Sequence, residues 1–107
     1  MNLTPILETI EKQAAALAKK MFAQYAQQAV RDAKDYLDNA QLDLKRWTDE
    51  LARREIDKDE FRSLIQGQKD LAQMHALKQA GLAQVQIDRF VDGLFDIVVS
   101  AAIAAIP

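Results

Sequence analysis

Between Ile6 and Gln66 the chain contains neither glycine nor proline. Those 61 residues are more than half of the 107, and they lack both usual breakers of regular structure. They are filled with Ala, Leu, Gln, Lys, Arg, Glu and Asp, most of which a helix accepts easily. A chain of this kind is built around one very long helix, or around two helices joined without a true breaker.

Apolar residues recur along that run at Leu7, Ile10, Ala14, Leu17, Met21, Tyr25, Ala29, Ala33, Leu37, Ala40, Leu44, Trp47 and Leu51. The spacing averages about 3.67 residues, the eleven-residue period of nearly straight helix packing, and no strand alternation competes with it. Thr4 and Pro5 open the helix as cap and first residue. One zone is weak. The spacing from Met21 to Leu37 drifts off a strict seam, and Asp38 with Gln41 could form a capping box, so a break is expected, if anywhere, between Ala33 and Asp38.

Ile56-Asp57-Lys58-Asp59-Glu60-Phe61 is a clear helix start. Asp57 can cap, Glu60 stands at the reciprocal position, and Ile56 with Phe61 would staple the entry. A second helix from Lys58 carries Phe61, Leu64, Ile65, Leu71, Met74 and Leu77, with Gly67 inside it. Gly81 is a helix-ending residue with Leu82 behind it. A third helix from about Gln84 presents Ile87, Phe90, Val91, Leu94, Phe95, Val98, Ala101 and Ala102.

The fold expected is all-α and a single domain, 1–107, with helices at about 5–55, 58–80 and 84–105. The arms before and after Ile56–Asp57 have nearly equal length, so an antiparallel hairpin pairs residues whose numbers sum to about 113. Trp47 then falls near Gly67, which would make room for the indole, and Ile6, Leu7 and Ile10 meet Ile103 and Ile106. A thin rod buries too little, and the last helix is apolar on more than one face. A dimeric helical bundle is therefore expected, with an interface drawn from Ile6, Leu7, Ile10, Leu17, Met21, Tyr25, Phe95, Val99, Ile103 and Ile106. The alternative is a compact monomeric four-helix bundle with a break near 33–38.

Composition narrows the functions. The chain has 14 basic and 16 acidic residues, net charge −2, and no basic patch to engage nucleic acid. Cysteine is absent, which removes disulfides and thiolate chemistry and fits the cytoplasm. Met1 to Thr9 do not read as a secretory signal. Ile97 to Ile106 is apolar apart from Ser100, but a spanning helix needs about 20 such residues.

Chemistry-bearing patterns are scarce. His75 is the sole histidine and has no HExxH or His/carboxylate spacing around it. Gly67, Gly81 and Gly93 do not cluster into a phosphate loop. Ser63 and Ser100 lack a neighbouring base. Asp88, Asp92 and Asp96 form an acidic stripe that reads as a solvated helix face. Asp57–Glu60 lacks the spacing and glycine of a calcium loop. Tyr25, Tyr36 and Trp47, eleven apart, read as a packing seam. No catalytic residue, metal ligand or cofactor site is expected.

The stretch Arg46-Trp47 through Phe61, then Leu64 to Met74 and Ala76 to Ala83, resembles a group of short, uncharacterised, all-helical bacterial proteins over roughly residues 35–95. That resemblance implies a helical fold and no activity. The Ala-rich first arm is similar in composition to phasins, which coat polyester storage granules. The expectation is a non-enzymatic helical self-assembly or protein-interaction module, a homodimer with a protein partner. The alternative is a lipid- or granule-surface protein using Phe90–Ile106.

Overall fold

The computed structural model describes residues 2–106, so Met1 and Pro107 of the expected domain lie outside the described residues. Among the described residues every regular element is helical. The chain is helical from Thr4 to Ala52, 49 residues, but that run is not straight. It comprises α1 (Thr4–Phe22), one 3₁₀ turn (Ala23–Tyr25) and α2 (Ala26–Ala52). A straight helix of this length would reach about 73 Å, whereas the longest dimension of the whole molecule is 42 Å. α1 doubles back onto α2 at Ala23, where the backbone takes φ 23°, ψ −81°.

The doubling corrects the expected continuous helix over 5–55, which also stops at Ala52. The break falls at the start of the weakly patterned Met21–Leu37 stretch, ten residues before the expected Ala33–Asp38, and residues 33–38 are helical within α2. Tertiary burial decides this, because nothing local in Phe22-Ala23-Gln24-Tyr25 terminates a helix. A turn here lets Phe22 enter the core edge-on to Phe90, with ring centroids 5.4 Å apart, a favourable aromatic geometry. The buried stripe of α1 is accordingly Ile6, Ile10, Ala14, Ala18 and Phe22. It is shifted from the expected Leu7, Leu17 and Met21, which are half-buried.

The base of α2 closes as a Schellman turn. Glu55 N–H donates to the Glu50 carbonyl and Arg54 N–H to the Leu51 carbonyl, with Arg54 left-handed at φ 62°. The capping box then opens α3 (Lys58–Gln66) as expected. Glu60 N–H donates to Asp57 Oδ1 at 2.7 Å and Asp57 N–H to Glu60 Oε1 at 3.3 Å. Phe61 is fully buried and Ile56 packs against the core.

The expected helix over 58–80 is interrupted. α3 ends at Gly67, a 3₁₀ turn follows at Lys69–Leu71, and α4 (His75–Gln79) starts after Met74, which is left-handed at φ 56°. Gly67 therefore lies at a helix end rather than inside a helix. A Cβ there would meet only the Ser63 and Leu64 carbonyls at 3.5 Å, so the glycine does not make room for Trp47. Gly81 then turns at φ 87°, and Leu82 N–H donates to the Leu77 carbonyl at 3.2 Å. α5 (Gln84–Ala104) matches the expected third helix.

The result is an up-down-up-down bundle. α1 packs on α2 and α5, while α3 and α4 form a broken third member between α2 and α5. The radius of gyration, 13.5 Å, is close to the ~13 Å of a single compact chain of this size. The expected pairing of the first arm's start with the last helix survives in α1 and α5, because the long hairpin is folded over at its middle. Phe22 meets Phe90, and a Cβ at Gly93 would lie 2.8 Å from Leu17 Cδ2. At the N-terminus the expected Thr4 cap is replaced: Thr4 N–H donates to Asn2 Oδ1 at 3.0 Å.

Candidate functional site

The residues expected at an interface divide into two groups. Ile6, Ile10, Phe95 and Val99 are buried in the chain's own core, whereas Leu7, Leu17, Met21, Ile103 and Ile106 are half-buried at its margin. Tyr25 stands exposed at the α1–α2 turn. Of the expected aromatic seam, Tyr36 is fully buried, Trp47 half-buried and Tyr25 outside. The apolar α5 segment finds its cover within the chain, since Phe90, Leu94, Val98, Val99 and Ala102 are all buried.

His75 is exposed beside a cleft containing Asp35, Asp38 and Asp70. Among the described residues no group of three or more His, Cys, Asp or Glu could hold a metal ion. Asp88, Asp92 and Asp96 are exposed. Gln84 Nε2 donates to Asp88 Oδ1 at 2.8 Å, and Arg62 Nη1 reaches Asp96 Oδ1 at 3.3 Å. No helix among the described residues is long and apolar enough to cross a membrane.

The base of the bundle is different. There the end of α2, the α2–α3 turn and the end of α5 surround an open groove of about 1160 Å³. Leu51, Ile56, Ile103 and Ile106 form its apolar wall, and the three isoleucines are half-exposed. A second groove, about 800 Å³, runs on the other side of the same turn past Trp47 and Leu64. Ile56, Asp57, Asp59 and Glu60 border both.

Charge surrounds this apolar strip. Arg46, Arg54 and Lys58 line the two grooves together with Glu50, Glu55, Asp57, Asp59 and Glu60. Arg53 Nε donates to Glu55, which holds the guanidinium above its usual range. Lys45 Nζ donates to Asp49 Oδ2 at 3.2 Å and keeps that carboxyl below the usual carboxylate range. The turn is held firmly by the Schellman and capping-box bonds, so the grooves are preformed. The arrangement suits an apolar side chain entering between Ile56 and Ile106, flanked by cationic groups meeting the acidic excess.

Two buried polar contacts escaped the sequence reading. Asp32 is 4% exposed, and its two carboxylate oxygens accept from Ala76 N–H at 2.9 Å and Leu77 N–H at 2.8 Å. It caps α4 from another helix, because Met74 offers no side-chain cap. Tyr36 Oη donates to Gln68 Oε1 at 2.6 Å, and Gln68 Nε2 donates to Asp43 Oδ2 at 3.3 Å. Burial, then the Asp43 charge, raise the Tyr36 phenol far above its ordinary value. Asp32 falls in the otherwise apolar Ala29-Ala33-Tyr36 face, and that misplaced charge was the one available signal. Both contacts lie in the fold's interior and position α4 and the α3–α4 link. A scan against protein-family models finds no match to this chain, and neither comparison with curated proteins nor comparison with solved structures finds one.

Proposed function

We propose that this chain is a non-enzymatic helical interaction module of the cytoplasm that receives a partner protein at the base of its bundle. The observation that supports this reading is the half-exposed strip Ile56–Ile103–Ile106, with Trp47 and Leu64 alongside, held in preformed grooves by a doubly bonded turn. Recognition sites combine an apolar centre with a polar rim in this way. The rim carries more acid than base, so the partner segment is apolar and cationic, an amphipathic helix with Lys or Arg flanks. Two copies meeting base to base would set acid against acid, so this end favours a different protein. An anionic lipid surface is disfavoured by the same charge, and most of the α5 face that motivated a granule or membrane role, from Phe90 to Ala102, is buried in the core.

The sole tryptophan lies on the wall of this site, and its emission reports occupancy. A model amphipathic peptide of Leu and Lys is expected to shift Trp47 emission saturably, with affinity falling as salt rises. Ile106→Lys should abolish the shift. Leu42→Lys, on the lateral surface where Leu42 is 87% exposed, should leave it intact. An unchanged Trp47 signal, or equal sensitivity to Leu42→Lys, would remove the proposal.

A further inference from the structure

The α1–α2 turn carries strain that its own sequence does not call for. Ala23 lies at φ 23°, ψ −81°, outside the regions an L-residue prefers, and no side chain caps either flanking element. Two of the other turns are written into the chain, one by a capping box and one by Gly81 at φ 87°. By contrast, Met21 to Gln28 reads Met-Phe-Ala-Gln-Tyr-Ala-Gln-Gln. This stretch holds no Gly, Pro, Asn or Asp and is at ease within a helix. Tertiary contacts alone keep it bent, namely Phe22 on Phe90 and Leu17 against Gly93.

Those contacts do not depend on which molecule supplies α1. The face formed by α2 and α5 fits α1 of its own chain, and it fits α1 of a second copy equally well. We propose that this chain exchanges α1 with a second copy of itself, straightening at Ala23–Tyr25 into one helix from Thr4 to Ala52. Every α1 contact with α2 and α5 is then remade between molecules, so the exchange costs no core packing. It releases the strained backbone at Ala23 in both chains and adds residues to the helix. Tyr25, 36% exposed at the turn, meets its counterpart across the two-fold axis and gains cover. The inference rests on the turn and is independent of the base grooves.

The test uses the full chain refolded at millimolar concentration and then sized by light scattering. The expected products are a 12.0 kDa monomer and a slowly exchanging species of twice that mass. Ala23→Gly makes the bent backbone comfortable and should lower the dimer yield roughly fivefold or more. Deleting Ala23–Tyr25 removes the reversal and should leave dimer alone. Exchange is distinguished from ordinary association by mixing chains labelled singly at Glu8 with chains labelled singly at Gln41, then refolding. A short distance between labels on different chains supports α1 exchange. A dimer without that distance overturns it, as does a dimer yield indifferent to Ala23→Gly. If the deletion variant does not fold, the Ala23→Gly comparison and the labelled mixture decide alone.

Discussion

Asp32 ties the start of α4 to α2. Its carboxylate is buried and accepts two backbone N–H groups, at 2.9 and 2.8 Å, from the first turn of α4. α4 has only five residues, far short of the roughly 12–15 a helix needs to persist alone. Hydrogen bonds to a charged group stabilise by about 1.5–3 kcal/mol each, net of water. Re-solvation of the Ala76 N–H, the less buried of the two, returns part of that. Asp32→Ala should therefore cost about 2–4 kcal/mol. Asp32→Asn keeps one acceptor but turns an NH₂ toward a second donor, and should cost about 1–2 kcal/mol. A domain of this size holds roughly 5–15 kcal/mol in total, so Asp32→Ala lowers the thermal midpoint by about 10–20 °C. Urea unfolding followed by Trp47 emission and far-ultraviolet dichroism measures the change. Asp35→Ala, exposed on the same helix, is the control and should stay within about 0.5 kcal/mol. The capping role of Asp32 is refuted if Asp32→Ala also stays within that margin, or if the Ala76 and Leu77 amides exchange no faster in it.

Arg54→Gly should stabilise the chain by about 1 kcal/mol by relieving a left-handed non-glycine residue, and Gly81→Ala should destabilise it by a similar amount, since nothing lies within 4 Å of a Cβ there and only conformation is at stake; chemical denaturation checks both. Tyr36→Phe orphans Gln68 Oε1 and should cost about 1–2 kcal/mol, read by the same unfolding curves. The Tyr36 phenol is raised in the folded state, so the unfolded chain ionises first. Stability is unaffected well below pH 10 and falls above it, by up to about 1.4 kcal/mol per pH unit. Tyr36→Phe removes that contribution, which unfolding measured between pH 8 and 11 would show.

What could be read from the sequence followed from local chemistry. The Asp57–Glu60 capping box, the Gly81 turn and the extent of α5 each rest on residues that act on their immediate neighbours. The pairing of α1 with α5 was legible as well, because matched arm lengths constrain register. The reversal at Ala23 was not. It occurs among good helix formers and is chosen by the burial of Phe22 and the rest of α1, through contacts such as Phe22–Phe90 and Leu17–Gly93 with residues far along the chain. The interruption at Gly67–Met74 escaped for a related reason. It is held by Asp32, Tyr36 and Asp43, which belong to a different helix. The candidate site was partly visible: Ile103 and Ile106 were expected at an interface, while Ile56 and Trp47 were assigned to a staple and a seam. Their common location depends on α2 ending, α3 starting and α5 ending at the same level.

The first 49 helical residues fold back on themselves within one chain. The direct measurement is a spin-label distance between Glu8 on α1 and Gln41 on α2, in dilute protein with labelled chains spread among unlabelled ones. Both residues are exposed, so labels disturb no core. A straight helix would separate their backbones by about 50 Å. The doubled-back bundle, whose shorter dimensions are 22 and 19 Å, places the labels less than about 30 Å apart once their arms are included. A single distribution in that short range is the expected result, and one centred near 50 Å would contradict the fold described.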